Sequence, residues 1–269
     1  MSFFHIVVCS GVAPDPLQTL LPVSDHSAPA LKNEQMLPHL LDPWAEHSLF
    51  EAANLAKNNP QSKVWLVSMA PRAKLSQVMM KVAQKASFEL VALDAPSNGF
   101  TDSFAAAEKL AETIRSIPSL DFNRLLLFGG WESASRASGT TLQMTGELLN
   151  ICDQFQGVDE LEVTNDGGLR VLERLEGGEH QISLCVGPPA VLGWATGNLP
   201  EPPNNPQVGM TNMRQIMPAL QKAQAFGYPA DALQFTSVAL PQQKRDTELV
   251  KDKNPQEIAR EIVDWMRRQ

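Results

Sequence analysis

The residues best suited to chemistry lie in one segment, where an apolar run leads into glycines, small hydroxyl side chains and a single cation. Residues 125–128 are the apolar run, and Gly129-Gly130 follows directly. The segment continues through Arg136 to Ser138-Gly139-Thr140-Thr141, where a helix is predicted to begin. A strand, a glycine turn and a helix start direct free backbone amides and the positive end of a helix dipole at one point. This pattern predicts a binding site for a phosphate group.

The side chains of this loop allow two interpretations. Ser138, Thr140 and Thr141 can offer hydroxyl donors to a phosphate, and Arg136 can offer a positive charge. Ser and Thr also favour helix starts for local reasons, because their hydroxyls accept hydrogen bonds from the first backbone amides. A helix capped by its own side chains, after a parallel strand, is therefore the alternative.

Composition is typical of a globular protein and argues against a nucleic-acid partner or membrane insertion. The chain has 269 residues, of which 43% are hydrophobic and 19% charged, so it can bury a substantial core. Its net charge of −8 disfavours a nucleic-acid partner, which requires a basic face. No apolar run approaches the length of a membrane span, and the N-terminus predicts a strand rather than a signal peptide. We therefore expect a cytoplasmic protein.

The cysteines and histidines predict neither disulfides nor a metal site. Cys9, Cys152 and Cys185 are odd in number and widely spaced, which favours reduced, packed thiols. The five histidines are scattered and lack the spacing of metal ligands. No G-x-S-x-G elbow occurs, so no catalytic residue is assigned.

Strand and helix patterns alternate through the first half of the chain. Apolar runs at residues 4–9, 64–67, 88–93 and 125–128 each have the length of a parallel strand covered on both faces. Helical patterns lie between them. This alternation predicts an α/β fold with a doubly wound, mostly parallel sheet and helices on both faces. The ligand crevice of such a sheet lies at the carboxyl ends of its strands, where the glycine loop begins.

Capping residues predict where helices start. Asp42 is a favourable N-cap, with Pro43 at the first helical position. Thr101 and Asp102 are the candidate caps of a later helix. Near the C-terminus, Asn254-Pro255-Gln256-Glu257 predicts an amphipathic helix that begins with a capping box.

The second half of the chain has a different pattern. Asn165-Asp166-Gly167-Gly168 separates two alternating segments and predicts a β-hairpin, and residues 181–186 predict a further strand. Prolines at 200, 202, 203 and 206 exclude regular structure and predict a stiff, exposed loop. We expect a nucleotide-binding-like domain over residues 1–223, which includes the hairpin and this loop. Residues 224–269 are expected to form an arm and a helix that packs on a partner subunit.

Several motifs resemble the electron transfer flavoprotein beta subunit. Residues 130–145 align without a gap to that family's nucleotide loop, G-K-Q-A-I-D-D-D-x-N-Q-T-G-Q-M-T, and end in the identical Gln143-Met144-Thr145. Asp42-Pro43-Trp44-Ala45-Glu46 resembles the family's N-P-F-D-E, and Val67-Ser68-Met69-Ala70-Pro71 resembles V-S-x-G-P. Leu199-Pro200-Glu201-Pro202 resembles L-N-E-P. The matches occur in the family's order from about residue 5 to 223.

The resemblance implies the smaller subunit of a heterodimeric electron carrier with an adenine-nucleotide alpha-hydrolase-like fold. In this family the larger alpha subunit holds most of the FAD, while the beta subunit supplies a shallow cradle and, typically, an AMP site. Electrons arrive from flavoprotein dehydrogenases and leave toward the respiratory chain through a downstream quinone oxidoreductase. The flavin performs the electron chemistry, and protein residues position it.

The resemblance and the loop pattern together assign two sets of site residues. The nucleotide site is expected to comprise Val8, Cys9, Asp42, Pro43, Trp44, Ala45, Met69, Gly130, Arg136, Ser138, Gly139, Thr140 and Thr141. Leu199 corresponds to the family's anchor leucine for the dehydrogenase, beside Glu201, and the alternative is a Leu199 that packs into its own subunit. Trp131 either covers an adenine or belongs to the core.

The loop also departs from the family pattern. Ser135-Arg136-Ala137 replaces three acids, and Gly139-Thr140 replaces Asn-Gln. Retention of AMP is therefore left open, with an empty pocket or a different nucleotide as alternatives. Two other functions stay open: a stand-alone adenine-nucleotide-binding α/β enzyme, and a structural subunit with a degenerate nucleotide site. Such enzymes use Ser-Gly-Gly-x-Asp-Ser after the first strand, where this chain has Cys9-Ser10-Gly11-Val12-Ala13-Pro14.

Overall fold

Strands and helices alternate through most of the chain in the computed structural model, which describes residues 3–25, 28–96, 101–135, 138–228, 236–237, 239–240, 249–251 and 253–268. The strands in these ranges are β1 (His5–Ser10), β2 (Val12–Pro14), β3 (Pro22–Asp25), β4 (Ala28–Leu31), β5 (His39–Leu41), β6 (Lys63–Ala70), β7 (Glu89–Asp94), β8 (Leu125–Gly130), β9 (Gln154–Val163), β10 (Leu169–Arg174), β11 (His180–Cys185), β12 (Ala190–Trp194) and β13 (Gln224–Ala225). The helices are α1 (Pro43–Asn58), α2 (Arg72–Val82), α3 (Ser103–Arg115), α4 (Thr140–Leu148), α5 (Pro206–Gln221) and α6 (Pro255–Met266).

The central sheet has nine strands in the order β11-β10-β9-β12-β8-β1-β6-β7-β13. Along the sheet from β9 to β13 every neighbouring pair is parallel, whereas β10 is antiparallel to both of its neighbours, β9 and β11. The chain builds outward from β1 through β6 and β7, and then returns to the other side of β1 with β8. This architecture confirms the prediction of an α/β fold with a large, mostly parallel sheet, and the four apolar runs of the first half all form strands of it.

Helices cover both faces of the sheet, as the doubly wound pattern predicts. Side chains of β1 alternate, so that Ile6 and Val8 join one core cluster while Val7 and Cys9 join another. The first cluster includes buried residues of α1, α2 and α5, such as Leu49, Leu75 and Ile216. The second includes Leu110 of α3 and Leu142 of α4. Burial on both faces explains why the central strands are almost continuously apolar.

The predicted hairpin forms, but it is one part of a larger antiparallel extension. β9 and β10 pair as expected, and the Thr164 amide donates to the Gly168 carbonyl across the turn at 2.9 Å. Gly167 has a φ of +88°, a conformation that explains the glycine there. β12 was not predicted from the sequence. It inserts between β9 and β8, and its five residues are all buried.

The chain divides into two compact units, Met1–Val238 and Ala239–Gln269. The boundary expected after residue 223 therefore falls inside the first unit, because β13 returns to the sheet and pairs with β7. In the second unit, α6 begins with the predicted capping box: Asn254 accepts from the Glu257 amide, and the Glu257 side chain accepts from the Asn254 amide. No helix in the described ranges is both long and apolar enough to cross a membrane.

Candidate functional site

An open cavity of about 160 Å³ lies at the carboxyl edge of the sheet, where β1, β6 and β8 end. Ser10 ends β1, Met69 lies near the end of β6, and Gly129 and Gly130 end β8. The strand order reverses between β1 and β8, because β6 and β7 lie on one side of β1 and β8 on the other. Ligands of open α/β sheets bind at such switch points. The cavity has room for a small ligand, since one water needs only about 10–15 Å³ by the same measure.

The start of α4 forms one end of this cavity. Gly139 is the N-cap residue, and no side chain of the described residues caps the helix. The prediction of a helix capped by its own Ser or Thr side chains is therefore wrong for α4. A Cβ at position 139 would lie 1.6 Å from the Trp131 carbonyl oxygen, so only glycine fits this approach. Ser138 and Thr141 line the cavity beside Gly139. The first amides of α4 are thus left without a side-chain cap at a surface that a ligand can reach.

Asp42 fastens the loop after β8 to the start of α1. Its Oδ2 atom accepts hydrogen bonds from the Ala134 amide at 2.8 Å and from the Ser133 hydroxyl at 3.2 Å. Asp42 is only 7% exposed, and its Oδ1 atom is buried with no hydrogen-bond partner in the described structure. Burial raises the pKa of the Asp42 carboxyl, although the Ala134 and Ser133 hydrogen bonds oppose this shift. Asp42 occupies the predicted N-cap position of α1, but its side chain does not cap that helix and instead holds the cavity loop in place.

The charged side chains of the described cavity wall are both acidic. Asp42 and Glu132 line it, and no described Lys or Arg does. Arg136, the cation predicted for this site, lies outside the described residues. An anion bound here would therefore depend on backbone amides of α4 and on hydroxyls, unless Arg136 contributes.

Cys9 lines the cavity, but its chemistry is restricted. Burial raises the pKa of the Cys9 thiol to about 12, so the thiol stays protonated at neutral pH. A neutral, buried thiol is a poor nucleophile and a poor metal ligand. Cys9 and Cys185 are buried, whereas Cys152 is exposed rather than packed. The described residues contain no group of three His, Cys, Asp or Glu side chains that could hold a metal ion.

Apolar side chains also line the cavity. Met69, Pro96 and Leu110 contribute to it, and so does Tyr228 from the segment after β13. The Tyr228 hydroxyl donates a hydrogen bond to the Met69 sulfur at 3.3 Å. Sequence reasoning missed Tyr228, since nothing in its local sequence indicates that the chain returns to this edge of the sheet.

The structure brings most of the predicted site residues together. Those that line the cavity are Cys9, Asp42, Ala45, Met69, Gly130, Ser138, Gly139 and Thr141. Val8, Pro43, Trp44 and Thr140 do not line it, and Val8 is completely buried in the core. Trp131 does not line it either: its ring lies beside Gly157, and its Nε1 atom is buried with no partner in the described structure. Trp131 is thus partly buried outside the cavity and covers no ligand site there.

Leu199 and Glu201 lie in the proline loop, which has neither helix nor strand over residues 198–205. Leu199 is half-buried and packs against the main core cluster, as in the alternative of a Leu199 that packs into its own subunit. Glu201 forms an ion pair with Lys85, whose ammonium also lies 3.6 Å from the Glu46 carboxylate. These acids raise the pKa of Lys85, although burial of the ammonium acts in the opposite direction. Neither Leu199 nor Glu201 lines the cavity.

The fold and the cavity define a doubly wound type of α/β protein with a crevice at the strand order reversal. No protein-family model matches the chain, and no curated protein matches it in sequence.

Proposed function

We propose that the protein is the beta subunit of a heterodimeric electron transfer flavoprotein. The observation that carries the proposal is the convergence of the motifs that resemble this family. Asp42, Met69 and Gly130 come from three of the four motifs, and all three line the same cavity, whereas Leu199 of the fourth motif does not. The proposal includes an adenine-nucleotide alpha-hydrolase-like fold and transfer of electrons from flavoprotein dehydrogenases toward a quinone oxidoreductase.

The cavity supports a nucleotide as the ligand of this subunit. The start of α4 offers backbone amides to a phosphate, and the apolar side chains of Met69 and Leu110 are available to a ring. FAD, bound mainly by the larger subunit, would supply the electron chemistry. The neutral Cys9 thiol suits such a positioning role, because it neither attacks nor protonates a ligand at neutral pH.

The second unit supports a protein partner. Ile262, Val263, Trp265 and Met266 of α6 are between 44% and 64% exposed. The helix is stabilised at its start by the capping box, so it presents these side chains on an ordered backbone. Exposed apolar side chains grouped on one helix are typical of an interaction site, and we assign this one to the larger subunit.

Co-expression with a candidate alpha subunit, followed by purification, an absorbance spectrum and mass spectrometry of released nucleotides, tests the proposal. We expect a one-to-one complex that contains FAD. Ile262→Ser with Trp265→Ser should weaken the complex, whereas the control pair Arg260→Ser with Glu261→Ser, which leaves the apolar side chains intact, should not. A stable, flavin-free chain that ignores the alpha subunit would contradict the function. Released AMP would support the nucleotide site, and a complex with FAD but without a second nucleotide would indicate a degenerate site.

A further inference from the structure

The chain returns to the cavity after α5. β13 pairs with β7, and the Phe226 amide then donates to the Asp94 carbonyl at 2.9 Å. The rings of Phe226 and Tyr228 meet edge-on with centroids 5.0 Å apart, and Lys109 lies 5.8 Å from the Phe226 ring centre. The Tyr228 hydroxyl is bonded to Met69, as described above. These contacts fix Tyr228 as a half-buried wall of the cavity rather than as a side chain in solvent.

The cavity extends across three adjacent strands of the sheet. Gly130 ends β8 near the start of α4, whereas Met69, which the Tyr228 hydroxyl contacts, lies in β6, two strands away. Two strand spacings amount to about 10 Å. A ligand that spans this distance with a phosphate at the start of α4 places its other end against Met69 and Tyr228. A flat ring is the ligand group that an aromatic wall stabilises best.

We propose that Tyr228 is a specificity-determining residue of this cavity, whose ring stacks against the base of a bound nucleoside monophosphate. This inference rests on the nucleotide site proposed above. The phosphate lies at the start of α4, and the base lies against Met69 and the face of the Tyr228 ring. Ribose 5-phosphate, which lacks the base, therefore binds without using Tyr228.

The sequence offers a direct probe, because Tyr228 is the only tyrosine in the 269 residues. Incorporation of 3-fluorotyrosine into the full-length chain gives a single ¹⁹F resonance that reports on this ring. We expect saturating AMP to shift the resonance, since a stacked base changes the ring's magnetic environment. Ribose 5-phosphate at saturation should produce little shift. If calorimetry shows that AMP binds but the ¹⁹F resonance does not shift, the inference is overturned.

Calorimetry on three variants gives a second readout. Tyr228→Phe keeps the ring, and its affinity for AMP should stay within about twofold of the wild-type affinity. Tyr228→Leu and Tyr228→Ala lack the ring, and their affinity for AMP should fall at least about tenfold. All should bind ribose 5-phosphate like wild type, which also shows that the variants are folded. If AMP binds wild type and Tyr228→Ala equally, Tyr228 has no such role and the nucleotide site still stands. If wild type binds neither AMP nor ribose 5-phosphate, the nucleotide site fails and the Tyr228 role fails with it.

Discussion

The Asp42 carboxylate accepts a hydrogen bond from the Ala134 amide at 2.8 Å, across 92 residues of sequence. One partner begins α1 and the other belongs to the loop that follows β8. The bond therefore joins the two segments that enclose the cavity from opposite sides of the strand order reversal. The Asp42 carboxylate also accepts from the Ser133 hydroxyl, so both of its donors belong to this one loop. A single side chain therefore sets the position of the loop.

Replacement of Asp42 by Ala should lower the free energy of unfolding by about 1–3 kcal/mol, because the Ala134 amide loses its acceptor. Asp42→Asn is the matched control, since its amide oxygen can still accept that bond. Urea denaturation measures the difference. Hydrogen exchange at Ala134 should accelerate in the Ala variant alone, and equal exchange in both variants would show that the bond does not hold the loop.

Replacement of Gly139 by Ala should disrupt the start of α4. The added Cβ would meet the Trp131 carbonyl oxygen at 1.6 Å, and the expected loss of stability is about 1–3 kcal/mol or more. Gly11 also lines the cavity, but a Cβ there meets nothing within 4 Å, so Gly11→Ala should change stability by less than about 0.5 kcal/mol. Thermal unfolding of the two variants measures this difference in stability. Equal stability of Gly139→Ala and Gly11→Ala would show that the loop moves aside freely to accept the added Cβ.

Protonation of His5 should destabilise the fold in mild acid. The His5 Nδ1 atom accepts a hydrogen bond from the Asp121 amide at 2.7 Å, which requires that nitrogen to be unprotonated. Burial lowers the pKa of His5, with Asp121 opposing the shift and Lys63 and Arg124 adding to it. The unfolded chain, with a His pKa near 6.5, then binds a proton more readily than the folded chain.

The His5 contribution is therefore complete above about pH 6.5 and declines as the pH falls from there toward the lower folded pKa. His5→Asn should reduce this slope, because the Asn side-chain oxygen can accept from the same amide without binding a proton. Urea denaturation at a series of pH values provides the measurement. His39, whose pKa is also lowered by burial, should sustain part of the slope in this variant. Identical slopes for wild type and His5→Asn would contradict the assignment.

Truncation of Leu199 should have two effects if this residue also contacts a dehydrogenase. Leu199 already packs against the core, so Leu199→Ala should reduce stability by roughly 1–2 kcal/mol. It should also slow reduction of the flavin by the dehydrogenase at limiting concentrations, without changing reduction by dithionite. Leu17, which is 90% exposed, gives a matched control, and Leu17→Ala should alter neither property. Loss of stability with an unchanged rate of reduction would leave Leu199 a packing residue only.

Local patterns in the sequence determined much of the fold. The apolar runs predict β1, β6, β7 and β8 because strands covered on both faces need apolar side chains at nearly every position. Asp42 and Pro43 predict the start of α1, and Asn254 with Glu257 predicts the start of α6, since caps act within one helical turn. Most of the predicted nucleotide-site residues also meet at one cavity, since carboxyl ends of parallel strands share one edge of a sheet.

Tertiary structure alone decided the rest. The insertion of β12 between β9 and β8 depends on pairing with strands distant in sequence, and so does the return of β13 to β7. Leu199 turns toward the core and Tyr228 reaches Met69, although nothing within a few residues of either distinguishes these outcomes. Side-chain caps and periodicity are set by neighbours along the chain, whereas burial and cavity walls are set by contacts across it. Interactions of the first kind can therefore be predicted from neighbouring residues in the sequence. Contacts of the second kind become apparent only in the folded structure.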